Sequence, residues 1–272
     1  MRFEVFFMIR PVQGEDAMSE PSTRKKFLKT VEWPLLLILA AALSAIVTHR
    51  IDQKAGRRIS DDAAVVARFN QIYYDSKVWR RTSYLGIPIQ QFPTDLWMIQ
   101  EVLWEVKPDL IIETGTYNGG STLFFADTIG RINETGAVVS VDIDPQIQQA
   151  SLFDSFKKRI EVFKGDSVSP EIIEAIRRRA IDKKVLVTLD SLHTKEHVLD
   201  ELNAYAPFVS LGSYLIVQDT NINGHPVYDE FGPGPMEAVR EFLKTHANFV
   251  VDPGRERFLL TAYPSGYLKR VK

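Results

Sequence analysis

Short runs that are apolar at nearly every position recur along the second half of the chain, separated by stretches whose apolar residues follow a helical period. Strands are predicted at Leu110–Glu113, Val138–Val141, Ile160–Phe163, Val185–Leu189 and Tyr214–Val217. Helices are predicted between them, near Ser121–Ile129, Pro145–Phe156, Pro170–Ala180 and Thr194–Tyr205. Strands without polar alternation are buried on both faces, so the pattern predicts an α/β fold with a mostly parallel sheet and helices on either side. After a helix at Pro235–Thr245 the rhythm changes. Two strands, near Phe249–Val251 and Phe258–Tyr263, follow too closely for a crossover helix, which predicts an antiparallel last strand. Upstream, Asp61 to Trp79 reads as an amphipathic packing helix with Val65, Val66, Phe69, Ile72 and Tyr73 at helical spacing. Arg80 to Phe92, with Tyr84, Gly86 and Pro88, is a loop placed to cover a site, and Pro93 opens a second helix through Lys107.

The longest apolar stretch lies earlier. Val31 to Thr48 carries no charge after Glu32 and is bracketed by Arg24, Lys25, Lys26 and Lys29 before it and Arg50 after it. That is near the shortest length that spans a bilayer, and an uncleaved anchor is the favoured reading. A signal-peptide core, with Ala40, Ala42 and Ala45 as small residues for cleavage, is the competing one, and a buried or peripheral helix the third. The organisation expected is a basic tail over 1–30, a transmembrane segment over 31–48, a linker over 49–60 and a catalytic domain over 61–272. Basic residues flank both ends, so charge does not orient the anchor. Met18 is an alternative start.

Composition narrows the function. The 272 residues are 45% hydrophobic and 25% charged, enough for one full core with an appendage. There is no cysteine, which excludes disulfides, thiolate metal sites and a cysteine nucleophile. A net charge of −2 argues against nonspecific nucleic-acid binding. The first 58 residues hold 10 Lys/Arg against 6 Asp/Glu, and the remainder 23 against 29, so the basic part is the N-terminus.

The candidate chemistry sits after the first core strand, in Glu113-Thr-Gly-Thr-Tyr-Asn-Gly-Gly-Ser-Thr122. An acid, a flexible turn and a helix start are how a nucleoside-type cofactor site begins, and Asp142 then ends the next strand where a ribose would lie. A dinucleotide site needs G-x-G-x-x-G to bring amides to a pyrophosphate. Gly115, Gly119 and Gly120 read G-x-x-x-G-G instead, and Glu113 would repel a pyrophosphate while attracting an ammonium group. S-adenosylmethionine, cationic and without phosphate, is the favoured cofactor. A nicotinamide or flavin nucleotide and a cofactor-free domain are the alternatives. As a cytosolic metabolite, S-adenosylmethionine also places the catalytic domain of an anchored enzyme in the cytoplasm.

Several motifs occur in order: Glu113-Thr-Gly-Thr116, Leu189-Asp-Ser-Leu-His-Thr-Lys-Glu-His-Val198, Pro207-Phe-Val-Ser-Leu-Gly-Ser-Tyr-Leu-Ile-Val217, Asn223-Gly-His-Pro226, Phe231-Gly-Pro-Gly-Pro-Met236 and Gly266-Tyr-Leu-Lys-Arg270. Over roughly residues 65–270 the chain resembles the rhamnosyl O-methyltransferase and cephalosporin hydroxylase family, within the class I S-adenosylmethionine-dependent methyltransferases. The resemblance implies a Rossmann-like sheet with an antiparallel last strand. It also implies transfer of a methyl group to a hydroxyl of a sugar, glycolipid or secondary metabolite; nothing in the chain suggests an oxygenase. Gly115, Thr116 and Gly119 would then admit the methionine part, Glu113 would bind its ammonium, and Asp142 the ribose hydroxyls, with Asp144 as competitor. Asp166 and Ser167 would flank the adenine.

Asp190 and Asp219 follow the fourth and fifth strands and converge at the carboxyl edge of such a sheet, where they would suit Mg²⁺. Relatives read Asp-Ser-Asp-His and Glu-Asp at these places; this chain has Leu192 and Gln218, which leaves metal dependence open. His193, three residues beyond Asp190, stands where the metal-using catechol O-methyltransferases place a catalytic lysine and is the candidate general base. His225 is a candidate substrate-loop residue. His193-Thr-Lys-Glu-His197 fits H-x-x-E-H, a zinc pattern, but follows a parallel strand inside a cofactor fold, which argues against a zinc hydrolase. Gly232-Pro-Gly-Pro235 is a rigid loop rather than a phosphate loop, because prolines supply no amides. The expected partners are a small-molecule, glycan or glycolipid acceptor and the membrane, with a homo-oligomer left open. A catalytically inactive scaffold at the membrane is the alternative function, suggested by Leu192 and Gln218.

Overall fold

In a computed structural model, the structure describes residues 62–272 and five positions of the preceding segment, 41, 43, 44, 46 and 48. The chain divides into two units, Met1–Asp61 and Asp62–Lys272. In the first, the five described positions are helical and exposed, and Thr48 Oγ1 donates to the Ser44 carbonyl at 2.9 Å. No helix among the described residues is long and apolar enough to cross a membrane. The expected anchor over 31–48, with its tail and linker, lies otherwise outside the described residues.

The second unit carries the α/β fold. Its helices and strands are α1 (62–75), β1 (Ser83–Tyr84), β2 (Ile87–Pro88), α2 (Pro93–Val106), β3 (Leu110–Thr114), α3 (Gly120–Ile132), β4 (Ala137–Asp142), α4 (Asp154–Arg159), β5 (Ile160–Lys164), α5 (Pro170–Ala180), β6 (Val185–Leu189), α6 (Lys195–Tyr205), β7 (Tyr214–Val217), α7 (Pro235–Phe242), β8 (Phe249–Val251) and β9 (Tyr267–Arg270). The main sheet runs β5-β4-β3-β6-β7-β9-β8. β3 to β7 are parallel, and β9 is antiparallel to both its neighbours, β7 and β8. Successive strand residues alternate between two cores. Ile111, Val138, Leu186 and Ile216 pack under α2 and α3, while Ile112, Val139, Val187 and Leu215 pack under α5, α6 and α7. That two-sided burial is why every residue of β3 and β6 is buried, and why these runs lack polar alternation. The strand order reverses between β3 and β6, so the carboxyl ends of these strands open a crevice at the topological switch point.

Three expectations are corrected. The helix predicted at Pro145–Phe156 is a loop, a single 3-10 turn at Ala150–Leu152 and the short α4. The chain there is tied to the β3–α3 turn through the Gln146 amide, which donates to the Tyr117 carbonyl, while Ile147, Ala150, Phe153 and Phe156 pack against Ile87 and Leu123. The strand predicted at Phe258–Tyr263 is irregular, and the sheet's true partner for β8 is Tyr267–Arg270. Side chains occupy the backbone donors of the predicted run. The Thr261 amide donates to Asn70 Oδ1, and the Ala262 amide donates to Asp95 Oδ2. Asp95 also accepts from Thr261 Oγ1, and its burial pushes its pKa up to about 7. Finally, α1 packs through Val66, Asn70, Tyr73 and Tyr74, leaving Val65, Phe69 and Ile72 exposed. Asn70 fixes that rotation, since its amide also donates to the Leu259 carbonyl at 2.9 Å.

Candidate active site

A cavity of about 820 Å³ opens along the carboxyl edge of the sheet, with walls drawn from the ends of β3, β4, β5 and β6 and from the segment after β7. Its strand-end acids are Asp142, Asp166, Asp190 and Asp219, opposed by Arg80 and two imidazoles, His193 and His197. Such a lining suits a cationic ligand better than a pyrophosphate.

Between β3 and α3 the turn is held by glycine. Gly115 has φ +88°, and a Cβ there would lie 1.9 Å from the Asp190 carbonyl oxygen, so the turn can approach the end of β6 only without a side chain. Gly115 and Thr116 line the cavity as expected. Gly119 does not: it caps α3 against Ile147, Ala150 and Phe156, and Gly120 lines the cavity in its place, pressed against the Pro88 carbonyl.

Glu113 requires the larger correction. It is wholly buried, does not line the cavity, and accepts hydrogen bonds from Ser121, Thr122 and Ser140. Burial raises its pKa to about 7 against the opposing effect of those hydroxyls. Direct contact with an ammonium group is ruled out in this conformation; Glu113 instead orients Ser121, which does reach the cavity.

Asp142, at the end of β4, lines the cavity. Its Oδ2 accepts from the Tyr117 amide and its Oδ1 from the Asp144 amide, both at 2.7 Å, which locks the carboxylate and leaves its remaining lone pairs for a ligand. Asp144 turns away to Lys164 at 2.8 Å and does not line the cavity. Asp166 and Ser167 line the cavity beyond β5.

Beside these, Asp190, His193 and Asp219 converge. His193 Nε2 lies 3.3 Å from Asp190 Oδ1 and 3.4 Å from Asp219 Oδ2. Burial lowers the imidazole pKa, but Asp219 and Asp190 outweigh it and push the value up to about 9. Their ligand atoms lie within 4.8 Å of one another, a donor set that fits a divalent cation. Gln218 takes no part. Its Oε1 accepts from Gln91 Nε2 and from the Tyr263 hydroxyl, each at 2.6 Å, and its Nε2 donates to Thr188 Oγ1 at 2.9 Å. Gln91 Nε2 also donates to Asp190 Oδ2 at 2.9 Å, so this buried amide network positions Asp190.

Substituting Gln218→Glu places a third carboxylate next to Asp190. The variant is expected to melt at lower temperature in EDTA and to bind Mg²⁺ roughly tenfold more tightly than the parent, because carboxylate count sets the affinity of such sites. Melting curves and calorimetry with Mg²⁺ check both.

His225 lies outside the cavity: its Nε2 contacts Glu237 Oε1 at 2.7 Å, bracing the start of α7. The loop is nonetheless a cavity wall, through Ile222, Tyr228 and Phe231. Together with Tyr74, Trp79, Arg80 and Leu192 these residues form an apolar and aromatic side to the cavity. Pro88, Ile89 and Gln90 of the expected covering loop line it too. The two histidines of H-x-x-E-H do not meet at one point. His197 Nε2 turns to Ser191, Ser167 and Glu201, at 3.1, 3.3 and 3.5 Å, and the three-residue cluster suited to a metal among the described residues leaves it out.

The sequence profile described as "Rhamnosyl O-methyltransferase/CmcI" matches residues 76–271. The chain belongs to that family. Family membership makes the protein an S-adenosylmethionine-dependent O-methyltransferase, as the ordered motifs implied. The rhamnosyl O-methyltransferase of Mycobacterium tuberculosis (strain ATCC 25618 / H37Rv) is 37% identical over 216 residues, which cover 76% of this chain and 85% of that one. Its Mycobacterium leprae (strain TN) counterpart is 35% identical, covering 76% of this chain and 91% of the relative. Among solved structures, CmcI with Mg and SAM superposes with a TM-score of 0.55 at 19% identity, over 71% of this chain and 78% of that one. Apo CmcI gives 0.54 at 20% identity, over 71% and 77%. At such identities the likeness establishes the fold.

Proposed function

We propose that this family member methylates a hydroxyl of a sugar ring, carried on a glycolipid or secondary metabolite, with His193 as the general base. The observation that carries the proposal is the placing of Asp190, His193 and Asp219 at the junction between the acid-lined and aromatic sides of one cavity.

The acid-lined side fits S-adenosylmethionine. Asp142 would take the ribose hydroxyls, Asp166 and Ser167 the adenine, and Gly115, Thr116 and Ser121 the methionine part. The bound cofactor supplies an electrophilic methyl group. On the other side, Tyr74 stacks on Trp79 at 5.5 Å, Arg80 covers Trp79 at 5.1 Å, and Tyr228 meets Phe231 edge to face at 5.5 Å. Aromatic faces suit the C–H face of a sugar ring, and the rhamnosyl O-methyltransferases named above are among the relatives of this chain.

The acceptor hydroxyl would give its proton to His193 Nε2 as its oxygen attacks. Asp190 and Asp219 stabilise the imidazolium that results, and Gln91 keeps Asp190 in place. Asp190 and Asp219 would also hold Mg²⁺, which lowers the pKa of an oxygen bound to it. The remaining gain comes from positioning and from excluding water. The apolar run at 31–48 supports single-pass anchoring, which would bring a lipid-linked acceptor within reach, and the cytosolic cofactor would place the catalytic unit on the cytoplasmic side.

Radiolabelled methyl transfer to a panel of glycosides and flat phenols tests the acceptor class. Glycosides are expected to be methylated, and Trp79→Ala to raise their KM by about tenfold with little change in kcat, as loss of a stacking face removes uniform binding. Preferential labelling of phenols would overturn the sugar reading.

A further inference from the structure

His197 and Glu201 have no part in the reaction as derived so far, although they organise one wall of the cavity. Glu201, on α6, is fully buried. Its Oε1 accepts from Ser167 Oγ at 2.6 Å and from Ser191 Oγ at 2.7 Å, and His197 Nε2 stands 3.5 Å away. Its other oxygen, Oε2, is buried with no hydrogen-bond partner among the described residues. No arginine or lysine among the described residues forms an ion pair with it; His197, one helical turn earlier, is the basic side chain beside it there, and its hydrogen bond to Glu201 raises the imidazole pKa. A buried carboxylate held by hydroxyls and an imidazole is costly to keep.

Glu201 does one thing that an apolar residue could not. Ser167 and Ser191, both on the cavity wall, give their single protons to it. A serine whose proton is committed has only lone pairs left to offer. The buried carboxylate therefore makes this stretch of wall an acceptor surface, on the side where Asp166 and Ser167 are proposed to hold the base.

We infer that Glu201 sets the hydrogen-bond polarity of the base-binding wall, so that Ser167 and Ser191 accept from the exocyclic amino group of adenine and the site rejects a 6-oxo purine. Ser167 and Ser191 are contacts beside Asp166, Glu201 is a positioning residue, and His197 is its imidazole neighbour. This inference rests on the reading that S-adenosylmethionine occupies the cavity.

The test is calorimetric titration of the full chain with S-adenosylhomocysteine and with its deaminated analogue S-inosylhomocysteine. Wild type is expected to favour the adenine compound by at least ~20-fold, since sites built around a substrate hydrogen bond discriminate strongly against its absence. Glu201→Gln, which frees the serine protons, and Ser167→Ala, which removes one acceptor, should each bring the ratio below about threefold. Asp142→Ala should weaken both compounds while keeping the ratio. Equal wild-type affinity for the two compounds, or an unchanged ratio in folded Ser167→Ala, overturns the inference and leaves the cofactor reading intact. Absence of binding by wild type to either compound would instead remove the cofactor reading and the inference with it.

Discussion

Replacing His193 with glutamine should lower kcat by about two to four orders of magnitude, the range for loss of a general base, while leaving the Kd for S-adenosylmethionine within about twofold. Glutamine keeps a polar tip between Asp190 and Asp219 but cannot take a proton. The pH profile gives an independent check. The two aspartates raise the imidazole pKa to about 9, so near neutrality most molecules carry the proton and are unable to act as base. Activity in the absence of added cation should therefore rise with pH up to about 9, with a slope of one in its logarithm. In His193→Gln that limb should vanish. Added Mg²⁺ held by Asp190 and Asp219 should move the limb toward lower pH, because it neutralises the charges that hold the proton. A profile flat from pH 6 to 9 in the wild type would remove His193 from the role.

A comparable loss is expected from a single methyl group at Gly115. The added carbon meets the Asp190 carbonyl oxygen at 1.9 Å, which is backbone and cannot rotate aside, at a φ of +88° that alanine adopts only under strain. Gly115→Ala should destabilise the fold by roughly 3 kcal/mol and lower Tm by about 6–12 °C. It should also abolish cofactor binding, since relief of the clash separates the β3–α3 turn from the end of β6. Gly212→Ala, another left-handed glycine but with open space around it, should show only a small loss of stability, and the contrast isolates the steric part.

The core of the fold was legible because it rests on local period. β6 and β7, α5 and β8 match their predicted ranges; two-sided burial makes the runs of β6 and β7 continuously apolar, while α5 is read from its helical period. The misplaced last strand shows where that signal stops. Leu260, Ala262 and Tyr263 are as apolar and as buried as a strand, but Asn70 and Asp95, distant in sequence, take the amides a neighbouring strand would need. No local pattern records such a partner.

The site divides in the same way. Asp142, Asp190 and Asp219 follow from the rule that ligands bind at strand ends. Position after a strand does not tell whether a side chain faces the crevice or the core, and Glu113 faces the core. Its signal was present in Ser121, Thr122 and Ser140, three hydroxyl residues set to meet it. Tyr74 and Trp79 were missed as cavity residues because they fall in a segment read as a packing helix; Arg80, which opens the loop expected to cover the site, was the available hint. His197 was weighed only as a zinc ligand, and its link to Glu201 depends on the burial of α6 against the sheet. Gln218, noted as a departure from the relatives, proves to be bound into a network with Gln91 and Tyr263 that no spacing rule would join.

On the proposed function, the acid-lined side of the cavity binds S-adenosylmethionine through Asp142. Calorimetric titration of S-adenosylmethionine into the full chain, with and without Mg²⁺ and beside Asp142→Ala, tests it most directly. Saturable one-to-one binding by wild type is expected, weakened at least ~10-fold in Asp142→Ala while that variant keeps its melting temperature. Wild-type binding that Asp142→Ala leaves unchanged, or no binding with or without Mg²⁺, would contradict it.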